Sequence, residues 1–461
     1  MRQSGAVRLL TAGLVLTITL VAFSALAVET ILPIVSDDLG GVSLYGWVFS
    51  AFFLGSLASV IIAGGIADER GTLLPYSVGL ALFALGLGIA GAAPAMPVVV
   101  AGRLVQGIGS GAIIASTYAS IAAGYGEARR PRMFAILSTA WVVPSILGPS
   151  AAAFIATSSS WRLVFFGLLP FAVLAAVLAV PALRRLGPPA RAGQRASRRD
   201  AVLVAAGAGL LLAGLSSASL IGVALFVAGA AIAVPALRRV TPAGTLTGRP
   251  GLGAAVLARG LLTFAFFGTE AFLPLMLREA RGLSPALAGL VLTTGAVTWT
   301  AGAWVNERLA PRLTSRTIIS TAFGLVALGA GGVATVLIAP IPVEVAYLAW
   351  AVSGAGIGFG YAAIAVLVLR LAPAERTGAT GAAMQVLDNL GTALGTGAGG
   401  AAVAIAVARG LPLGTGIAAA FGIAIAGGLL GLAVSRRLDA SRPSVIAEAA
   451  AKPAPSLVAD R

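Results

Sequence analysis

Two carboxylates stand inside long apolar stretches, each four residues ahead of a proline: Glu29 in Glu29-Thr-Ile-Leu-Pro33 and Glu270 in Glu270-Ala-Phe-Leu-Pro274. Away from water an ionised carboxylate is costly, so such a residue is kept for a task, such as holding a proton, a cation or a buried partner. A third acid, Asp388, lies in another apolar run beside Gln385 and Asn389. Its residue types leave two readings open, a polar tether between helices or a working carboxylate. Arg103 is a cation within a fourth run. Arginine does not lose its proton, so there it needs a buried partner or a wet cavity. Asp37, Asp38, Glu279 and Glu344 fall at the ends of runs and read as solvated.

The chain has no Cys and no His. Disulfides, a thiol nucleophile and the commonest proton shuttle and metal ligand are all excluded. Proton chemistry falls to the carboxylates and Arg. No metal site, cofactor or catalytic constellation emerges, and we expect no enzyme.

These residues repeat in register. Besides the two Glu–Pro segments, Gly64-Gly-Ile-Ala-Asp68-Glu-Arg70 is echoed by Gly302-Ala-Trp-Val-Asn306-Glu-Arg308. Gln106-Gly-Ile-Gly-Ser-Gly111 is echoed by Ser353-Gly-Ala-Gly-Ile-Gly358. Parallel repeats of this kind place a substrate site where the two halves meet.

The elements that must position them are helices in a bilayer. Of the residues 58% are hydrophobic and only 10% charged, whereas a soluble domain sits nearer a quarter charged. Apolar runs of roughly 20 residues, enough for a span, follow one another, and the short alternating strands of a β-barrel are not seen. The expected fold is an all-α integral membrane protein of two six-helix bundles related by pseudo-two-fold symmetry. Runs fall at 9–35, 44–66, 73–93, 97–123, 133–156 and 161–183, and again at 252–277, 285–305, 317–339, 344–370, 379–407 and 413–435. Two shorter runs, 201–217 and 219–237, lie between the sets. As two spans they give fourteen helices; as a hairpin that does not cross they leave twelve. Fourteen is the expectation, because these runs hold no charge and meet in a minimal turn at Ser216-Ser217. The chain then divides into a bundle at 1–186, a basic linker at 187–200, a hairpin at 201–237, a linker at 238–251, a bundle at 252–435 and a disordered tail at 436–461. The start of the chain, with Arg2, Arg8 and Ala25-Leu-Ala27, has the outline of a signal peptide, but the second-half counterpart of Glu29–Pro33 marks it as part of a working helix.

The net charge of +15 is a topology signal and does not point to nucleic acid. Arg129, Arg130 and Arg132 share one break between runs; Arg184, Arg185, Arg191, Arg195, Arg198 and Arg199 share another. Arg238, Arg239, Arg249, Arg308, Arg312, Arg316, Arg376, Arg436 and Arg437 fill later alternate breaks, while the breaks between hold only Arg162, Arg278, Arg281 and Arg409. Positive-inside counting places both termini in the cytoplasm.

Gly64–Gly71 and Arg103–Ala112 resemble the major facilitator superfamily, specifically its drug:proton antiporters. The superfamily loop after helix 2, Gly-x-Leu-Ala-Asp-Arg-x-Gly-Arg-Lys, is matched at Gly64, Ala67, Asp68 and Gly71, with Ile66 for Leu, Glu69 for the first Arg, and Thr72 and Leu73 for the basic pair. The resemblance implies conformational gating by Asp68, Gly64 and Gly71. Arg103-Leu-Val-Gln106-Gly107-Ile-Gly109 is similar to the family's Arg-x-x-Gln-Gly-x-Gly, whose Arg is placed in proton coupling. Gly148-Pro149 resembles the start of the antiporter signature Gly-Pro-x-x-Gly-Gly, with Ala152 and Ala153 for the Gly pair. The fourteen-helix branch carries an Asp nine residues before the proline of its first helix, where this chain has Ser24; Glu29 fits the twelve-helix drug antiporters instead.

The resemblance implies an inner-membrane secondary transporter, a monomer, that exports hydrophobic or cationic small molecules in exchange for protons. The proton gradient is its energy source and no cofactor is needed. Glu29, Arg103, Glu270 and Asp388 are the expected proton and substrate residues. Tyr118, Phe266, Trp350 and Tyr361 are candidate cavity aromatics. A lipid or metabolite exporter or a symporter on the same fold is the alternative, and a non-transporting sensor the alternative of another class. Reporter fusions at Ser217 and Arg281 are expected to read periplasmic, and at Arg195 and Arg249 cytoplasmic; a cytoplasmic reading at Ser217 alone would leave twelve spans.

Overall fold

A proline has no N–H to give, and its ring meets the carbonyl four residues back, so a helix ends or bends there. That rule sets where this chain's helices break. The computed structural model describes residues 2–125, 130–186, 197–217, 219–373 and 376–438. Its N-terminal half comprises α1 (Arg2–Leu39), α2 (Tyr45–Arg70), α3 (Leu73–Gly91), α4 (Met96–Gly124), α5 (Arg130–Thr139), α6 (Val142–Ser158), α7 (Arg162–Phe166) and α8 (Leu169–Leu183). A hairpin of α9 (Arg198–Leu215) and α10 (Leu220–Val240) follows. The C-terminal half comprises α11 (Leu252–Glu270), α12 (Leu273–Arg281), α13 (Pro285–Leu309), α14 (Ser315–Thr335), α15 (Glu344–Leu371), α16 (Thr377–Ala408) and α17 (Leu413–Ser435). Among the described residues there is no strand. The gap between α5 and α6 falls ahead of Pro144, α7 stops four residues before Pro170, and α11 stops four before Pro274. α1 runs unbroken through Pro33. The matched carboxylates therefore differ in setting: Glu29 lies within a helix and Glu270 closes one.

Twelve segments among the described residues are long and apolar enough to cross a membrane. Of the fourteen expected runs, two fall short of that measure. One is 133–156, which splits into α5 and α6 and leaves Val143–Ser158 as a shorter apolar helix; the other is 201–217, seen as α9. α9 begins earlier than the apolar run because Ser197 caps it, its hydroxyl accepting from the Asp200 N–H at 3.2 Å. The expected linker thus ends at Ser197. Residues 187–196, and the expected tail from 439 on, lie outside the described residues. Arg239 pairs with Asp200 at 3.0 Å across the hairpin. The outward side chains Leu220, Phe154 and Leu348 are 89%, 71% and 71% exposed, a surface that suits lipid and would drive a soluble chain to aggregate.

Within lipid, helices gain little from hiding apolar surface, and association rests on close packing. The repeated glycine motifs supply it, in the same way in each half. A Cβ on Gly107 of α4 would lie 2.0 Å from the Phe52 carbonyl oxygen of α2, and one on Gly358 of α15 would lie 2.0 Å from the Trp299 carbonyl oxygen of α13. Between them in each motif, Gly109 faces α3 at Phe83 and Gly356 faces α14 at Val326. One motif per half therefore lets a single helix touch two neighbours at backbone distance.

The two halves meet at the face that is poor in Arg. There Gly46 of α2 abuts Gly400 of α16, so that a Cβ on Gly46 would lie 2.5 Å from the Gly400 Cα. Ser50 donates to the Ala393 carbonyl at 2.9 Å. Asp37 of α1 is ion-paired with Arg278 of α12. Towards the Arg-rich face the halves part: Cβ atoms on Gly64 of α2 and on Gly378 and Gly381 of α16 would meet nothing within 4 Å. α9 lies along the outside of this seam, its Leu212 against Gly397 of α16 and its Gly209 beside Leu54 of α2.

Gly107→Ala and Gly358→Ala each force a methyl into a neighbouring backbone. Each is expected to cost about 1–3 kcal/mol and to lower the thermal unfolding midpoint in detergent. Gly324→Ala on α14, where a Cβ would meet nothing within 4 Å, is the control and is expected to leave the midpoint unchanged or slightly higher.

Candidate substrate and proton site

The deepest polar cluster is assembled by α1, α2, α4 and α11. Arg103 is 1% exposed and is held by neutral acceptors: its Nε donates to the Val48 carbonyl at 3.2 Å and its Nη1 to Gln106 Oε1 at 2.6 Å. Gln106 in turn donates from Nε2 to Ser24 Oγ at 2.7 Å. Ser24, the residue where the fourteen-helix branch carries Asp, is thus the end of a neutral relay that fixes the guanidinium. The ring of Phe52 lies under Arg103 at 4.2 Å. Glu29 and Glu270 are 7% and 6% exposed, and Glu29 feels both Arg103 and Glu270 electrostatically. The Oε2 atom of Glu29 is buried with no hydrogen-bond partner among the described residues, as is the hydroxyl of Tyr45 nearby. A buried carboxylate oxygen left in this way is poised to take a proton or a cation.

A second cluster joins α11, α15 and α16. Arg259 Nε pairs with Asp388 Oδ1 at 2.7 Å, and both are buried. Arg259 Nη1 also donates to the Tyr361 carbonyl at 2.7 Å, and its guanidinium lies 3.0 Å from the centre of the Tyr361 ring. Asp388 Oδ2 accepts from the Tyr361 hydroxyl at 3.1 Å and from Gln385 Nε2 at 3.2 Å. Tyr118 of α4, on the opposite half, is half exposed and within electrostatic reach of this pair. Asp388 is therefore fully engaged, where Glu29 is not.

One helix carries a member of each cluster. Arg259 and Glu270 are eleven residues apart on α11. Eleven residues are about three turns, so the two side chains leave one face of the helix about 16 Å apart. Among the described residues, the buried carboxylates and arginines of the two halves are three acids, Glu29, Glu270 and Asp388, and two arginines, Arg103 and Arg259. Fully ionised, they leave one negative charge in excess.

Other residues expected from the sequence lie apart from these clusters. Asp68 is exposed at the end of α2, and Gly71 caps that helix at φ 85°. It is Glu69 that is engaged there, with Arg198 of α9 at 2.7 Å. Gly148 and Pro149 lie on α6, with Pro149 near Gly289 of α13 in the other half. Phe266 and Trp350 stack at 4.6 Å inside the C-terminal half and are 1% and 0% exposed, so their rings are buried against each other. Arg259 sits within the run 252–277 as Arg103 sits within 97–123, so its need for a buried partner was equally legible there.

The family model of the Major Facilitator Superfamily matches residues 14–396, and the chain belongs to that superfamily. The MFS-type efflux pump LUC4 of Fusarium sp is 29% identical over 177 residues, 38% of this chain and 31% of that protein. The multidrug transporter protein MdtP of Bacillus subtilis (strain 168) is 30% identical over 169 residues, 37% of this chain and 31% of that protein. Each match thus spans about a third of the relative's length. Among solved structures, the peptide transporter POT in complex with alafosfalin superimposes with a TM-score of 0.68 at 17% identity, covering 93% of this chain and 94% of that one. This shares the fold.

Removing one partner of a buried ion pair strands the other charge. Arg259→Ala is expected to destabilise the purified protein by about 3–5 kcal/mol. The double variant Arg259→Ala/Asp388→Asn is expected to recover much of that loss. Wild-type thermal stability in Arg259→Ala would show that Asp388 does not depend on this partner.

Proposed function

We propose that this membrane transporter is a proton-driven exporter of hydrophobic or cationic small molecules, working by alternating access. The observation that carries the reading is the interior excess of one negative charge, with Glu29 Oε2 unpartnered beside Glu270. One proton neutralises the cluster; so does one monocation. Two ligands that neutralise the same site exclude each other, and a site alternately open to two faces then exchanges one for the other. The names of the relatives, an efflux pump and a multidrug transporter, support the same direction.

The Arg-rich face is cytoplasmic in this reading, with both termini there, by the positive-inside rule. The described arrangement, shut at the Arg-poor face and parted at the other, is then the state that loads substrate from the cytoplasm. Arg103 keeps the Glu pair within its field. Asp388 with Arg259 forms the second station, nearer the cytoplasmic mouth. Asp68, Gly64, Gly71, Gly148 and Pro149 belong to the moving seams. The chain acts as a monomer in the inner membrane, with the proton gradient as its energy source.

The test uses the purified chain in liposomes. Cation binding to the wild type is expected to strengthen as pH rises, because the competing proton leaves the carboxylates. Glu29→Gln and Glu270→Gln each remove one negative charge while keeping shape, so each is expected to flatten that pH dependence and to impair efflux driven by an imposed pH gradient, more for cationic than for neutral substrates. Wild-type efflux and pH dependence in both variants would return the carboxylates to a packing role. Counterflow without any pH dependence would make the protein a uniporter, and silence across dyes, antibiotics and lipids would favour a sensor.

A further inference from the structure

At the Arg-rich face, where the halves part, the α9–α10 hairpin is fastened to both of them. One fastening is ionic. Arg198, in the first turn of α9, pairs with Glu69 at the end of α2 at 2.7 Å, and a Cβ on Gly65, one turn earlier, would lie 3.6 Å from its Nε. The other fastening is covalent. α10 ends at Val240 and passes directly into residues 241–251, which are docked on the C-terminal half. A Cβ on Gly253 of α11 would lie 2.8 Å from the Gly244 carbonyl carbon, and Arg437, just past α17, donates to the Thr247 carbonyl at 2.9 Å. Between its two fastenings the hairpin is stiff. Asp200, two residues after Arg198, pairs with Arg239 of α10 at 3.0 Å. Cβ atoms on Gly207, Gly214 and Gly229 would lie 2.7, 2.5 and 2.5 Å from backbone nitrogens of the facing helix. A line of contacts therefore runs from α2 to α11 around the outside of the parted seam: Glu69 to Arg198, Asp200 to Arg239, then residues 241–251.

We propose that the hairpin is a strap fitted to the state open at the Arg-rich face, with Glu69–Arg198 as its releasable link. The inference rests on the alternating access of the export reading above and adds a control on its equilibrium. Closing this face moves the end of α2 relative to α11, and contacts at hydrogen-bond distance stretch little before they are lost. Of the strap's links, the one to residues 241–251 is the chain itself, and the hairpin is held together by close backbone packing. Glu69 and Arg198 are 27% and 45% exposed, so water can take over each partner when they separate. A contact made in one state and lost in the other shifts the balance by its own free energy. The strap thus favours the open state. The acid at 69 stands where the superfamily pattern has Arg, and an Arg there would repel Arg198, so the link is matched to this chain's own hairpin.

The experiment measures the distance between the halves by electron–electron spin resonance on the full chain in lipid nanodiscs. The chain has no Cys of its own, so spin labels go directly onto Leu74→Cys at the start of α3 and Arg312→Cys after α13, both exposed and away from the strap. Glu69→Gln and Arg198→Gln are each expected to lower the ratio of open to closed populations about threefold, the size that an exposed ion pair can supply. Arg198→Lys, which keeps the charge, is expected to stay close to the unsubstituted chain. Salt at about 0.5 M is expected to shift the unsubstituted chain the same way and to leave Glu69→Gln unmoved; this arm stands even should the Arg198 variants fail to fold. An unchanged ratio in both Gln variants, an equal shift in Arg198→Lys, or a full salt response in Glu69→Gln would overturn the strap and leave the export reading standing. An inter-half distance in the unsubstituted chain that never moves with pH would overturn alternating access and the strap together.

Discussion

A charge enclosed by apolar helices has to be answered by another charge, by a dipole or by a proton, because the medium around it offers none. The interior of this protein is arranged around that constraint in two contrasting ways. Asp388 is answered completely, by Arg259, Tyr361 and Gln385. Arg103 is answered by neutral oxygens, and Glu29 only through the field of Arg103, with one carboxylate oxygen left bare. A satisfied pair holds its neighbours still; an unsatisfied group waits for something mobile. The helices that carry these groups must therefore come within a few ångströms of each other, and the glycines of α4 and α15 make that approach possible.

The duplication gives this arrangement its symmetry, and its departures from symmetry give it a function. The glycine motifs do equivalent work in each half, docking α4 on α2 and α3, and α15 on α13 and α14. The carboxylates Glu29 and Glu270 lie at equivalent places. The arginines do not: Arg103 belongs to α4 of the first half, and Arg259 to α11 of the second. Two charged clusters at different depths are the result.

Much of the fold was legible because membrane helices announce themselves by length and apolarity. Register between the halves was legible too, since the Glu–Pro and glycine motifs recur in order. The apolar runs hide the breaks at 140–141, 271–272 and 167–168, although Pro144, Pro274 and Pro170 fix them through the carbonyl four residues back. Of the site, the acids and Arg103 stand out as charges in apolar runs, and Arg259 is legible in the same way. Aromatic residues are common in membrane helices, and their type does not tell a cavity ring from ordinary packing. Phe266 and Trp350 illustrate the point: chosen for size and type, they are buried against each other. The loop residue Glu69, which replaces a basic residue of the family pattern, finds its counter-charge in Arg198 of the hairpin, a partner that no local motif could reveal.

The break after Glu270 has a mechanical meaning. At Ala271 and Phe272 the helix turns, Ala271 N still donating to the Phe267 carbonyl at 3.1 Å and Phe272 N to the Thr269 carbonyl at 3.2 Å, and Pro274 has no N–H with which to continue the ladder. On the far side of the break, α12 carries Arg278, the partner of Asp37 on α1. On the near side, α11 keeps Arg259 clamped to Asp388. The ion pair to α1 and the clamp to Asp388 therefore sit on two segments with no continuous helical ladder between them. α1, the counterpart helix of the first half, has no such break, because it continues through Pro33. The Arg-poor face is thus lined by an unbroken helix on one side and a segmented one on the other, and Glu270 sits at the joint.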